Sequence, residues 1–112
     1  MAKTSPYESG ELTDSIFLIL LTMLQPVHGY GIMQTLSELT EGEVVIGPAT
    51  MYTTLKKMKA AGWIREEKGE DAKILYQVTE QGRNVLEQDY ARRKHMMQLA
   101  DRMLGGKSDG KI

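Results

Sequence analysis

No cysteine occurs in the chain, so disulfide scaffolds, thiol catalysis and thiolate metal sites are excluded together, and the composition suits a reducing cytoplasm. Long apolar runs are missing as well. The longest, Ile16 to Leu21 extended by Thr22-Met23-Leu24, falls short of the roughly 20 residues that a bilayer span needs. It has no basic segment before it and no small-residue cleavage site after it, so a secretory leader is not expected and the run reads as a buried helix. There is no nucleophile elbow, no phosphate-cradling glycine loop and no histidine–carboxylate constellation at useful spacing, so the sequence is not read as an enzyme. His28 and His95 stand alone, and neither a metal nor another cofactor is expected. Internal repeats are absent.

What remains is a chain of 112 residues, enough for one small domain with one core, a size at which pairing commonly adds stability. Hydrophobic residues at 41% and charged residues at 26% are ordinary globular values, which sets aside wholesale disorder and fibrous repeats. The net charge of −1 hides an alternation. Residues 1–47 carry −5, residues 48–65 carry +4, residues 66–90 carry −4 and residues 91–112 carry +4. In ordinary salt each charge reaches only about 10 Å, so a local basic face attracts a polyanion even on a near-neutral molecule. A solvated helix face that is merely basic is the plain alternative.

The acid-free block contains the most informative stretch, "GPATMYTTLKKMKAAG" over residues 47–62. Pro48 suits the first turn of a helix, where its missing N–H is no loss, and Gly62 suits the position just past a helix end. Between them Met51, Leu55 and Met58 fall on one side, and Thr50, Thr53, Thr54 and Lys57 on the other. Tyr52 lies beside the apolar row, and its ring is expected to be mostly buried with the hydroxyl reaching outward.

The flanking segments supply the rest of the domain. A first helix is expected from Leu12 to about Leu24, opened by Thr13, Asp14 and Ser15, and broken by the proline and glycine of "QPVHG". A second runs from near Tyr30 to Leu39, with Ile32, Leu36 and Leu39 on one face. After the third helix, Trp63–Glu67 and Lys73–Val78 read as the two strands of a hairpin with the polar tip "KGEDA". Thr79 caps a last helix from Glu80 to about Leu104, ended by Gly105-Gly106. On it Leu86, Tyr90, Met97, Ala100 and Leu104 follow a spacing of four and three, interrupted by Arg93, and Met96, Leu99 and Met103 form a second row.

Helix, helix, helix and hairpin is the order of a winged helix-turn-helix, in which the third helix enters the major groove. The expected fold is therefore mainly α, in the α+β class: a winged helix-turn-helix with a two-stranded wing over residues 11–79 and a long C-terminal dimerisation helix over residues 80–104. Flexible ends are expected over residues 1–10 and 105–112. A B-form major groove is about 12 Å wide and admits such a helix. Thr50, Thr53 and Thr54 are assigned to base edges and phosphates, and Lys56, Lys57 and Lys59 mainly to phosphates. A carboxylate on this helix would face phosphate, which accounts for its absence.

These residues resemble the short PadR-like transcriptional regulators, through "HGYGI" (28–32), "GPATMYTTLKKMKAAGWI" (47–64) and "LYQVTEQGRNVL" (75–86). The resemblance implies a cytoplasmic homodimeric repressor of double-stranded DNA, joined through the last helices, with Tyr30 and Tyr52 in or near the DNA interface. It departs at the wing, where "KGEDAKILY" offers only Lys68 and Lys73 against Glu70 and Asp71 in place of the family's Gly-Arg pair. The dimer contacts are assigned to Leu86, Tyr90, Met96, Met97, Ala100, Met103 and Leu104. Trp63, read first as a core or dimer residue, is with Met96 and Met97 a candidate pocket for a planar small-molecule effector of unknown identity. Arg92-Arg93-Lys94 reads as a solvated turn or a second phosphate patch. A winged-helix protein-interaction module and a small-molecule-sensing dimer, with weak or no DNA binding, are the alternative functions.

Overall fold

The computed structural model describes residues 5–105, so residues 106–112 of the expected tail and residues 1–4 of the expected arm lie outside the described residues. Among the described residues, five α-helices and three short strands follow one another as α1 (Pro6–Ser9), α2 (Asp14–Leu21), β1 (Val27–His28), α3 (Gly29–Leu39), α4 (Pro48–Ala60), β2 (Ile64–Lys68), β3 (Ile74–Val78) and α5 (Glu80–Met103). The three helices α2, α3 and α4 and the β2–β3 wing realise the expected winged helix-turn-helix. Their inner faces meet in one core that includes Ile19, Leu20, Ile32, Leu36, Met51 and Met58.

Local signals account for most helix starts. The Thr13 hydroxyl accepts the Ile16 N–H at 3.2 Å and the Thr79 hydroxyl accepts the Gly82 N–H at 3.0 Å, each satisfying a donor that the first turn leaves free. Pro48 is the first residue of α4, as expected.

Three features depart from the sequence reading. Helix α2 stops at Leu21, earlier than Leu24, because the chain turns to present the Met23 carbonyl to the Val78 N–H at 2.9 Å, tying the helix exit to the end of the wing. Val27 and His28, expected to be part of a break, pair antiparallel with Tyr76 and Leu75 and give the wing sheet a third strand in the order β1-β3-β2. The described part of the expected arm is a one-turn helix whose Tyr7 ring stacks on Trp63 with centroids 4.9 Å apart. Trp63 thus lies in the core under an aromatic cover.

Helix α5 is fastened to the body at two levels. At its start the Thr79 hydroxyl donates to the Gly62 carbonyl at 2.6 Å, the Thr79 N–H donates to the Trp63 carbonyl at 2.9 Å, and Gly82 sits flush against that carbonyl. A Cβ at Gly82 would stand 2.0 Å from the Trp63 oxygen, so only glycine allows this approach. One turn on, Leu86 is 4% exposed and belongs to the core of its own chain, not to the expected dimer surface, because this end of α5 still lies on the winged domain.

The second level is ionic. Asp89 is 2% exposed, and its carboxylate accepts from Arg92 at 2.8 and 3.1 Å, from Arg93 at 2.6 Å and from the Leu12 N–H at 3.2 Å. Arg93 also donates to Asp14 at 2.8 Å and to the Leu12 carbonyl at 2.9 Å, and its guanidinium lies 4.5 Å from the centre of the Phe17 ring. Burial by itself raises the Asp89 carboxyl; the hydrogen bonds from Arg93, Arg92 and Leu12 outweigh it and hold the group below the ordinary carboxylate value. Arg92 and Arg93 are therefore neither a solvated turn nor a phosphate patch: their charges are committed to Asp89 and Asp14.

Candidate nucleic-acid interface

Helix α4 presents two opposite faces. Met51, Leu55 and Met58 are buried, and at about 100° per residue Thr53 stands opposite them, with Lys56 to one side and Thr50 and Lys57 to the other. Thr50, Thr53, Lys56 and Lys57 are exposed and Thr54 is half-buried; Ala49, Thr50, Thr53, Thr54 and Lys57 line one shallow depression. Short hydroxyl side chains at the centre and ammonium groups at the flanks form a surface of donors, with no carboxylate on the helix. Lys59 is the exception among the lysines. Its Nζ is 2.9 Å from Glu66 on β2, so it is engaged by the wing instead of standing free for a phosphate.

Tyr52 also differs from expectation. The residue is 52% exposed, because it lies about 100° around the helix from Met51, at the edge of the buried face; its hydroxyl rests beside Gly29 at the start of α3, where the lack of a side chain gives it room. Beside it opens a cleft of about 570 Å³ whose walls include Tyr30 and Gln34 of α3, Tyr52 of α4, and Lys73, Ile74 and Tyr76 of the wing. Three of the sequence-predicted contacts, Tyr30, Tyr52 and Lys73, are thereby brought to one place. Burial, and secondarily the nearby Glu66 and Tyr52, raise the Tyr76 hydroxyl above its ordinary value, which keeps it a neutral hydrogen-bond donor.

Pro48 is exposed at the near end of α4, and Lys68 is exposed at the end of β2, beyond which the tip turns through a single 3-10 turn over Glu70–Ala72. Glu67, Glu70 and Asp71 are exposed around the same tip. Sequence reasoning missed the contact of Gly29 with the Tyr52 hydroxyl, which joins two helices and leaves no local sign in the sequence.

The remaining predicted residues lie on α5, with Leu104 at its C-cap. Tyr90, Met96, Met97, Met103 and Leu104 are exposed and Ala100 is half-buried, leaving an apolar row along the outer half of the helix. Met97 and Met103 are 63% and 83% exposed, far above the value for a core methionine such as Met51. The effector pocket expected from Trp63, Met96 and Met97 is not assembled within one chain. Trp63 is buried beside Gly82, and Met96 lies 14 residues further along α5, about 21 Å away along the axis.

A three-helix body, a β wing and an acid-free helix exposed beside it define a winged helix-turn-helix protein. Residues 17–88 match the family described as the transcriptional regulator PadR-like family, and the chain belongs to that family. Solved structures repeat the fold. A transcriptional regulator from Clostridium thermocellum is 19% identical, with 81% of this chain and 96% of that one covered at a TM-score of 0.67. A PadR family regulator from Eggerthella lenta is 20% identical, with 80% and 77% covered at a TM-score of 0.66. Bacillus subtilis PadR, solved in complex with operator DNA, is 24% identical, with 67% of this chain and 45% of that one covered at a TM-score of 0.57. No curated protein matches the chain.

Proposed function

We propose that this chain is a sequence-specific DNA-binding regulator, acting in the cytoplasm as a homodimeric repressor without a cofactor. The observation that carries the reading is the exposed side of α4, where Thr53 stands opposite the buried row, lysines flank it and no carboxylate intervenes. A major groove accepts a helix of this kind, its short hydroxyl groups meeting base edges and its ammonium groups the phosphates. Tyr30, Tyr52 and Lys73 around the neighbouring cleft add donors for the backbone. That Bacillus subtilis PadR was solved with operator DNA supports DNA as the partner.

The homodimer reading rests on the row Tyr90, Met97, Met103 and Leu104, whose exposure on a single chain calls for a partner surface. Two α4 helices held by paired α5 helices would enter successive major grooves about 34 Å apart, so the operator is an imperfect palindrome. Selection of duplexes from a random pool, followed by binding in excess non-specific competitor, tests the reading. Enrichment of a palindromic site supports it, whereas a pool that stays random after several rounds refutes it.

One observation favours a second reading, a winged-helix module that binds protein: the wing carries Glu67, Glu70 and Asp71 around its tip, which would repel a phosphate backbone. Failure of the selection would move this reading to first place.

A further inference from the structure

The ionic cluster around Asp89 lies where α5 leaves the winged domain. Gly82 and Leu86 hold the first turns of the helix on the body, and Asp89, Arg92 and Arg93 tie the next. Residues 94–99 are then exposed without interruption. Arg93 occupies the place in the four-and-three spacing where an apolar residue would face a partner, yet its guanidinium turns back to Asp14, Asp89 and the Leu12 carbonyl and covers Phe17. Both backbone polar groups of Leu12 are taken by side chains of α5, the N–H by Asp89 and the carbonyl by Arg93.

We propose that Arg93, with Asp89, is a positioning residue that fixes the angle at which α5 leaves the winged domain, and thereby the separation of the two α4 helices in the dimer. The proposal rests on the homodimer reading above. A planar guanidinium that donates in several directions at once resists rotation in a way that one apolar contact does not. The outer half of α5 is a lever. Ten residues separate Arg93 from Met103, about 15 Å of helix, so a rocking of about 10° at Arg93 moves Met103 by about 2.6 Å. A dimer built on that outer half would carry the same angular error into the spacing of its two recognition helices, and so into the operator spacing that it accepts.

The chain contains no cysteine, so a spin label introduced through Thr53→Cys reports the separation of the two α4 helices alone. Pulsed electron–electron distance measurements are made on the labelled full chain and on the same chain carrying Arg93→Met or Arg93→Lys, the latter keeping the charge without the fork. Circular dichroism and sedimentation establish that each is folded and dimeric. The expected result is one narrow distance in the parent and, in both variants, a distribution shifted or broadened by about 3 Å or more at unchanged dimer fraction. A narrow, unshifted distance in a folded and dimeric variant overturns the proposal. Absence of any dipolar signal in the parent overturns the homodimer reading itself, and the proposal with it.

Discussion

The hydroxyl of Tyr52 lies 2.8 Å from the point where a side chain on Gly29 would begin, so the first residue of α3 sets where an exposed ring of α4 rests. In Gly29→Ala the obstructing atom is the free end of a half-exposed side chain, which can swing away, and the Met51 terminal methyl at 3.1 Å needs only a small adjustment. The variant is expected to lose no more than about 1 kcal/mol of stability while its DNA affinity falls, because Tyr52 is re-aimed. Urea unfolding and a binding titration on the same preparation separate the two effects. A large stability loss with unaltered affinity of the folded fraction would show that Tyr52 has no part in the interface.

Gly82→Ala meets a different obstacle. The new Cβ would lie 2.0 Å from the Trp63 carbonyl oxygen, a backbone atom that itself accepts the Thr79 N–H, so α5 must lift from the domain. Destabilisation of about 3 kcal/mol is expected, at the upper end of the range for overpacking. Chemical denaturation measures it, and a change below about 0.5 kcal/mol, the usual scatter for a surface substitution, would mean that the junction is looser than described.

The Asp89 cluster gives the stability a pH dependence with a definite sign. Because the folded-state carboxyl is held below its ordinary value, its contribution is fully present above the unfolded value of about 3.9 and is lost as pH falls through the lower folded value. Asp89→Asn should remove that acid-side loss and lower stability near neutrality by about 2 kcal/mol. That is less than the 3–5 kcal/mol typical of a broken buried pair, since Arg92 and Arg93 reach solvent and can be rehydrated. Urea midpoints measured from pH 3 to pH 7 on both proteins provide the check; parallel curves for the two would contradict the assignment.

Much of the fold was legible because its signals are local. Thr13, Pro48 and Thr79 each mark a helix start by chemistry confined to one turn, and the rows of Met51 and Ile32 repeat at helical spacing. What escaped reading depends on distant partners. Strand β1 is two residues long and pairs with Tyr76 and Leu75, nearly fifty positions away. Arg93 read as part of a solvated turn or a phosphate patch, and Asp89 drew no reading, because Leu12 and Asp14, which engage them, lie at the other end of the chain. The sole local hint was an arginine interrupting an apolar row with an aspartate one turn before it. In the candidate interface, Thr50, Thr53 and Lys57 stand exposed where periodicity put them, while the exposure of Tyr52 and the engagement of Lys59 by Glu66 required the third dimension.

The two halves of α5 should respond differently to substitution. Met97→Lys alters an exposed residue, so the chain is expected to stay folded and to sediment as a monomer, with loss of tight DNA binding. Leu86→Ala removes a core side chain and is expected to cost about 3 kcal/mol while leaving the dimer contacts in place. Sedimentation velocity on both variants decides the point, and a Met97→Lys protein that remained dimeric would move the interface elsewhere.

The central claim, that α4 docks on DNA with its lysines along the phosphates, is tested most directly by the salt dependence of binding. Affinity for one selected duplex is measured across a range of salt for the parent chain and for Lys56→Ala/Lys57→Ala. Each phosphate contact contributes about 0.9 to the slope of log affinity against log salt, so losing two should reduce the slope by about 1.8, with affinity lowered for all sequences alike. Identical slopes for the two proteins would contradict the account, because the basic flank of α4 would then not be where the phosphates lie.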